Sequence, residues 1–561
     1  MGVLESARAD ARGLIAKLTL EQKVGQLFML AFGGKDLTYA KELVQERFIS
    51  GFYISQDNAD TVSEAQKLTQ SLQDAAGSAN HDLPLIFGVD QEGAWGVAVS
   101  ETTTGPGNLA LGAADDTSLT REIYGIYARE MMACGYNVIL SPCSDININP
   151  DNPIIGTRSF GEDRDRVARH VKAAVEGALN NNIVCCGKHF PGHGDTSEDS
   201  HRLLPTVDRS LPYLLDQDLV PFQAAIDAGL PMIMTSHINF PQIDPDFPAT
   251  LSSKIMRDLL RKKMGFQGVV VTDSMNMWGM RKNYDPAESA ILALKAGCDI
   301  VMLSEEHYEH DATNYAAKQK ATIDGVIKAV ETGDLALNVI EDALERIFCL
   351  RIQLTINAER SEQGVQDIAT EKHRNIADLA SEKAIRVVRD RDNLLSLKGK
   401  VNVVGLSGAD AHEMVVNTRG IGPNDPRAAF DVLCDELLKS SECSGSGVAT
   451  DAGQDIQILS ELELQHYLAG ESCFSAEDIV VAVTEDYPLP GMDYDVDFQK
   501  ERLDRLVQIT KGKMVVCALR SDYELRSHPD LSTYVAAYSS RACAAQAMAR
   551  FIIKAIRGEA S

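Results

Sequence analysis

From Ile49 to Leu303 the chain repeats one pattern: a short apolar run, an amphipathic stretch, another apolar run. That repetition limits the fold more than any other feature of the sequence. The runs are Ile49–Ser55, Leu83–Val89, Val138–Pro142, Ile183–Cys186, Met232–Thr235, Val269–Thr272 and Ile300–Leu303. Each is too short for a buried helix and fits a strand covered on both faces. The stretches between carry helical signals. Ser252 can cap a helix in which Ile255, Leu259 and Leu260 share a face, and Gly265 ends it. Such alternation predicts a mostly parallel sheet. The polar residues Asp90, Asp145, Lys188, His189, His237 and Asp273 all follow apolar runs. Chemistry collected at the C-terminal ends of many strands is the habit of a (β/α)8 barrel. Seven runs leave one strand unassigned. Upstream, Leu18–Leu27 predicts a helix capped by Thr19, with Leu20, Val24 and Leu27 on one face.

The densest chemistry lies in KHFPGHGDTSEDSH, Lys188 to His201. No amphipathic period fits it, and Pro191, Gly192 and Gly194 mark turns. It reads as the loop after the Ile183–Cys186 strand, where a rigid scaffold holds functional groups. Three readings compete. One is a solvated polar loop. The second is a zinc site through His189, His193 and His201, although neither the HExxH nor the CxxC spacing is present. The third is an acid/base loop in which Asp199 and His201, two apart, point the same way. A carboxylate beside an imidazole fixes its tautomer and stabilises its protonated form. His193 reads as structural, bonding the loop's own backbone. Asp273, at the end of Val269–Thr272, fits a cap of the next helix on pattern alone. On pattern alone Arg158 reads as a surface cation and His189 as a satisfied core histidine.

The chain has 561 residues, enough for more than one core, and its net charge is −27. So acidic a surface repels nucleic acid and anionic lipid, and both are set aside as partners. The 11 cysteines include no CxxC, and many sit in apolar runs, as at Cys185, Cys186, Cys349 and Cys517. They read as buried free thiols in a reducing compartment. The opening MGVLESARADARGLIAKL has no apolar signal core, and no segment reaches the roughly 20 apolar residues of a membrane span. Met1-Gly2 with Ser6 fits only the loose myristoylation pattern. A cytoplasmic location is expected; the oligomeric state is not legible.

After a charged helical stretch with an apolar face at Ala377, Leu379, Ala380, Ala384 and Ile385, Arg389–Asn393 reads as a turn. A second α/β block then begins with Lys400–Leu406, continues with Asp478–Val483 and Met514–Leu519, and closes with a helix from Ala542 to Ile556. Gly405–Gly408 lacks the third glycine and the ribose-binding acid of a dinucleotide site. Ser440–Gly447 is Ser/Gly-rich and reads as a loop. The expected domains are a barrel over 1–350, a helical connector over 351–398 and an α/β sandwich over 399–561.

KHFPGHGDTSEDSH resembles the signature of glycoside hydrolase family 3, in its β-N-acetylglucosaminidase branch. LTLEQKVGQLFML is similar to the start of that family's catalytic domain, and GFQGVVVTDSMNMWGM to its nucleophile motif. The later block resembles the sandwich domain of the longer members. The resemblance implies a TIM-like barrel followed by a smaller α/β sandwich, with no metal and no cofactor. It implies Asp273 as nucleophile and Asp199–His201 as the general acid/base pair. Asp90 of Asp-Gln-Glu-Gly, Arg158 of the Pro-x-Ile…Arg-Ser-Phe-Gly segment, and the pair Lys188-His189 are implied to line the terminal-sugar subsite. One departure stands out: where the family continues Gly-Gly-Arg-Val, this chain reads Gly93-Ala94-Trp95-Gly96-Val97, without the arginines and with a tryptophan that suits a sugar face.

The expected activity is retaining removal of terminal β-linked N-acetylglucosamine from small carbohydrates such as peptidoglycan or chitin fragments. The rivals are phosphorolysis by the same residues, a β-glycosidase for another terminal sugar, a sugar-binding pseudoenzyme and a metal hydrolase. An imidazole acid/base is neutral once deprotonated, so it opposes an incoming phosphate less than a carboxylate does. Phosphate is therefore expected to compete with water to some extent.

Overall fold

The computed structural model describes residues 2–93, 98–198, 200, 203–304, 312–360, 368–397, 399–407, 427–439, 442–444, 447–449, 455–485, 496–511 and 513–559. Asp199, His201 and Trp95 therefore lie outside the described residues, as do Gly408 and parts of the Ser440–Gly447 segment. The chain forms two compact units. The first comprises Met1–Glu92, Gly96–Thr103 and Thr117–His373, and the second Gly93–Trp95, Thr104–Asp116 and Arg374–Ser561. The division falls between His373 and Arg374, inside the stretch read as a connector.

The first unit is the expected barrel. Its strands are β1 (Phe28–Leu30), β2 (Gly51–Tyr53), β3 (Ile86–Val89), β4 (Val138–Ile139), β5 (Val184–Phe190), β6 (Met232–Thr235), β7 (Val269–Val271) and β8 (Val301–Leu303). They pair in parallel in the order β7-β6-β5-β4-β3-β2-β1-β8. A bridge between Val271 and Ile300 closes the ring, reinforced by Thr272 N–H donating to Ile300 O at 2.9 Å. Nearly every strand residue is buried, which is why these strands read as continuous apolar runs rather than alternating ones.

The unassigned strand is β1. The helix before it is shorter than expected: it spans Leu20–Gly25, with a capping box between Thr19 and Gln22. Leu27 and the apolar residues after it extend the helix face in sequence, and three residues are too few to reveal a strand period. Gly25, the last residue of that helix, leaves no room for a side chain: a Cβ would lie 1.9 Å from Arg47 O. The helix expected after Ser252 forms as Lys254–Lys263, wound with i→i+5 bonds, and Ser252 Oγ accepts the Ile255 N–H at 3.2 Å. β5 runs four residues beyond Cys186, so Lys188 and His189 stand in its last turn of strand and not in the following loop. A register shift against β6 falls between Gly187 and Phe190, where these two residues leave the ladder. The helix Leu337–Arg360 belongs to the barrel unit. Its buried Arg351 donates to Pro84 O at 2.7 Å, to Leu83 O at 2.6 Å and to the Gln26 side chain. No helix among the described residues is long and apolar enough to cross a membrane.

The second unit is the α/β sandwich. Its strands are β9 (Arg386–Asp390), β10 (Val401–Gly405), β11 (Glu442–Ser444), β12 (Gly447–Ala449), β13 (Asp455–Ile458), β14 (Ile479–Thr484), β15 (Met514–Ala518) and β16 (Thr533–Ala536). They are ordered β11-β12-β13-β10-β14-β15-β16-β9, parallel from β13 to β16 and antiparallel at both margins. Alternate residues feed two cores. Val401, Val403, Val481 and Val515 face the helices Ala429–Lys439 and Ala542–Ile556, whereas Val404, Val480, Val516 and Tyr534 face the helix Val496–Thr510. Arg389 and Asp390, read as part of a turn, belong to β9; the pairing partner that makes them a strand is β16, far along the chain.

Gly51 shows how tightly the barrel closes. A Cβ there would lie 2.1 Å from Ile86 O and 2.6 Å from Ile86 Cβ in the neighbouring strand. Gly51→Ala should cost roughly 1–3 kcal/mol or more, the range for overpacking a rigid core. Urea unfolding followed by circular dichroism checks this; an unchanged midpoint would refute it.

Candidate active site

The side chains at the C-terminal ends of β3, β4 and β5 form one buried ionic network. Lys188 Nζ lies 2.6 Å from Asp90 Oδ1 and 2.6 Å from Glu92 Oε1. Glu92 also takes a two-pronged contact from Arg158, with Nε and Nη2 each 3.0 Å from its two oxygens. Arg158 reaches this point from the short turn Gly156–Arg158. Burial would raise the Glu92 carboxyl, but Arg158 and Lys188 hold it down at about 2. Burial would likewise lower Lys188, but Asp90 and Glu92 raise it above its ordinary value. Glu92 and Lys188 are therefore both charged at working pH. The Glu92 side chain is wholly buried, whereas that of Asp90 is 25% exposed. Asp90 is the edge at which the network meets solvent, and Tyr53 Oη donates to its other oxygen at 2.9 Å.

A second carboxylate organises β5 and its loop. Asp145, after β4, accepts from His189 Nδ1 at 2.8 Å, from the His189 N–H at 3.1 Å, from the His193 N–H at 2.7 Å and from the Cys143 thiol at 3.2 Å. Burial would raise Asp145, but His189 holds it at about 2. An ionised carboxylate only accepts, so His189 Nδ1 carries the proton. His189 Nε2 then presents its lone pair to Arg158 Nη2, 3.2 Å away. Cys143, Asp145 and His189 place ligand atoms within 4.8 Å of one another and so could approach a metal. Here the carboxylate oxygens are already committed to these donors.

His193 is structural, as expected, but its ring bonds side chains rather than backbone. Nδ1 lies 2.9 Å from Thr196 Oγ1, and Nε2 lies 2.9 Å from Ser200 Oγ. Burial pushes its pKa down to about 4, so the imidazole is neutral at working pH. Both ring nitrogens are engaged, which argues against the zinc reading of this loop. His193 thus anchors Ser200, the residue between Asp199 and His201 in the sequence.

Asp273 follows β7 and is half-buried. Its Oδ1 accepts the Ser274 N–H at 2.7 Å, and its own N–H points to Thr235 Oγ1 at 3.4 Å. His237, after β6, buttresses this turn: its Nε2 lies 2.9 Å from Ser274 O and its Nδ1 2.9 Å from Thr250 Oγ1. Cys186 lies in β5, fully buried. Burial raises its thiol, and the charges of Lys188, Asp90 and Asp273 all act on it.

The described candidates Asp90, Arg158, Lys188, His189 and Asp273 thus gather at the C-terminal ends of the barrel strands. The residues missed as site groups are Glu92 and the orienting role of Asp145. Glu92 stood two residues after Asp90 in the quoted Asp-Gln-Glu-Gly, on the period that returns a side chain to the same side.

The family model of the glycosyl hydrolase family 3 N-terminal domain matches residues 19–350. The chain belongs to glycosyl hydrolase family 3. It is 31% identical to "Beta-hexosaminidase A" of Pseudoalteromonas piscicida over 442 residues, covering 72% of this chain and 73% of that one. It is 28% identical over 402 residues to "Beta-N-acetylglucosaminidase/beta-glucosidase" of Cellulomonas fimi, covering 69% and 68%. Among solved structures, the family 3 β-N-acetylglucosaminidase of a Paenibacillus species superposes with a TM-score of 0.79 at 30% identity, covering 97% of both chains. The two-domain arrangement of family 3 is therefore that of this chain, which is a glycoside hydrolase.

Two predictions follow from the buried carboxylates of this family 3 barrel. Glu92→Gln leaves Arg158 and Lys188 short of a buried counter-charge, which costs roughly 3–5 kcal/mol. Thermal unfolding should fall accordingly, and a variant as stable as the parent would refute the pairing. Asp218 supplies the other. It is 3% exposed, its Oδ2 has no hydrogen-bond partner, and a Cβ on Gly192 would lie 3.1 Å from its Oδ1. Burial raises it to about 7, with Asp195 and Asp145 adding to the rise and Arg209 opposing it. The folded chain therefore holds this proton more tightly than the unfolded one. The associated stability is full below the unfolded carboxyl value near 4 and is lost as pH rises through about 7. Asp218→Asn should flatten that loss, by up to about 4 kcal/mol. Melting temperatures from pH 4 to pH 8 check it; parallel curves for the two proteins would reject it.

Proposed function

We propose that this hydrolase removes terminal β-linked N-acetylglucosamine with retention, using Asp273 as nucleophile and His201, oriented by Asp199, as acid/base. One observation carries the reading: Asp273 stands at the end of β7, on the same barrel face as a buried network whose solvent edge is Asp90. The similarity to a β-hexosaminidase and to two β-N-acetylglucosaminidases supports the sugar. Asp90 accepts hydrogen bonds from sugar hydroxyls, while Arg158 and Lys188 keep Glu92 ionised. His189, with its lone pair turned toward Arg158, completes the polar wall of the terminal-sugar subsite. Asp273 attacks the anomeric carbon as His201 protonates the leaving oxygen. The glycosyl–enzyme ester then forms, and water, deprotonated by His201, displaces Asp273. The preset hydrogen bond from the Ser274 N–H and the brace from His237 hold Asp273 in place without reorganisation.

Asp273→Ala should lower turnover of p-nitrophenyl β-N-acetylglucosaminide by roughly 10³-fold or more with an unchanged melting temperature. His201→Ala should slow unactivated glycosides far more than the aryl glycoside, because only the former need a proton on the leaving group. Retained activity in the first variant, or equal losses on both substrates in the second, would overturn the residue roles. A panel of p-nitrophenyl sugars reads the specificity directly; greater turnover of the glucoside than of the N-acetylglucosaminide would overturn the substrate.

A further inference from the structure

Trp278 stands in the same βα loop as Asp273, at the start of the short helix Trp278–Arg281. The surrounding methionines pack inward: Met275, Met277 and Met280 are all but fully buried, whereas Trp278 is 41% exposed. A tryptophan serving the core would be buried with them. The ring is nevertheless held. The Arg281 guanidinium carbon lies 4.6 Å from its centroid and Lys282 Nζ 4.8 Å. Cations this close to an indole attract its face and limit its rotation.

The turn that carries the ring is docked on the acid/base loop. A Cβ on Gly279, the next residue, would lie 2.5 Å from Leu203 O and 3.0 Å from Ser200 O. Those two carbonyls bracket His201 in the sequence. A fixed, exposed indole thus stands on a turn shared by the loop of the nucleophile and the loop of the acid/base. The leaving group departs from the acid/base side. The apolar face of a pyranose stacks well on such a ring.

We propose that Trp278 is the platform on which a sugar-ring aglycone stacks, making it a specificity-determining residue that favours oligosaccharides over glycosides of small alcohols. The proposal rests on the reading of Asp273 and His201 given above. It concerns the leaving half of the substrate, which none of the network residues contacts in that reading.

The test compares N,N′-diacetylchitobiose with methyl β-N-acetylglucosaminide in the full chain. Trp278→Ala should lose roughly three- to tenfold more kcat/KM on the disaccharide than on the methyl glycoside. Trp278→Phe should recover most of that loss. A second arm needs no turnover. The chain has two tryptophans, so Trp95→Phe leaves Trp278 as the sole tryptophan, read by selective indole excitation. With Asp273→Ala added, its fluorescence should shift on titration with the disaccharide and stay unmoved by the methyl glycoside. Equal losses on both glycosides, or emission indifferent to the disaccharide, would overturn the platform while leaving the activity intact. Absence of N-acetylglucosaminide turnover by the unaltered chain would overturn the proposed function instead, and the fluorescence arm would still decide the platform.

Discussion

The triangle of Arg158, Glu92 and Lys188 is the interaction on which the rest of the site depends. Burying a carboxylate costs several kcal/mol unless cations and hydrogen bonds compensate it. Here Glu92 is wholly enclosed and touched by two cations from two other strand–loop units. Each partner is thereby fixed by the others. Lys188 can then aim its ammonium at Asp90, and Arg158 can turn its guanidinium to His189. The network contributes position more than stability, since an apolar trio of the same volume would avoid the desolvation altogether. What the charges supply is an open carboxylate at Asp90 with a defined orientation.

Much of the barrel was legible because burial writes itself into composition. Strands covered on both faces become runs of valine, isoleucine and methionine, and seven of these were found where the strands lie. β1 escaped because only three of its residues pair, and they follow a helix whose apolar face merges with them. β9 escaped for a different reason. Its residues Arg386–Asp390 are mostly polar and become a strand only through pairing with β16. Pairing partners distant in sequence leave no local trace.

The site was legible in part. Residue types at strand ends pointed to a functional face, but the roles of Arg158 and Lys188-His189 came from family resemblance alone. On pattern, Arg158 read as a surface cation; only the approach of Glu92 from another loop makes it a buried one. The ring contacts of His193 were equally hidden, because Thr196 and Ser200 are ordinary loop residues until the chain folds back on itself. Tertiary proximity, unlike burial, has no periodicity to read.

The loops after β4 and β5 are laced together. Asn149 N–H donates to Gly194 O at 3.0 Å, Asn152 Nδ2 to His193 O at 2.8 Å, and Asn149 Nδ2 to Thr196 O at 3.0 Å. Any Cβ on Gly194 would overlap Ile146 O at 1.5 Å. Two segments joined this closely form one structural part. Transplanting either loop alone from a relative would bring side chains shaped for a missing counterpart, so the natural module of exchange in this barrel is the pair, carried over together with the intervening helix Arg164–Leu179.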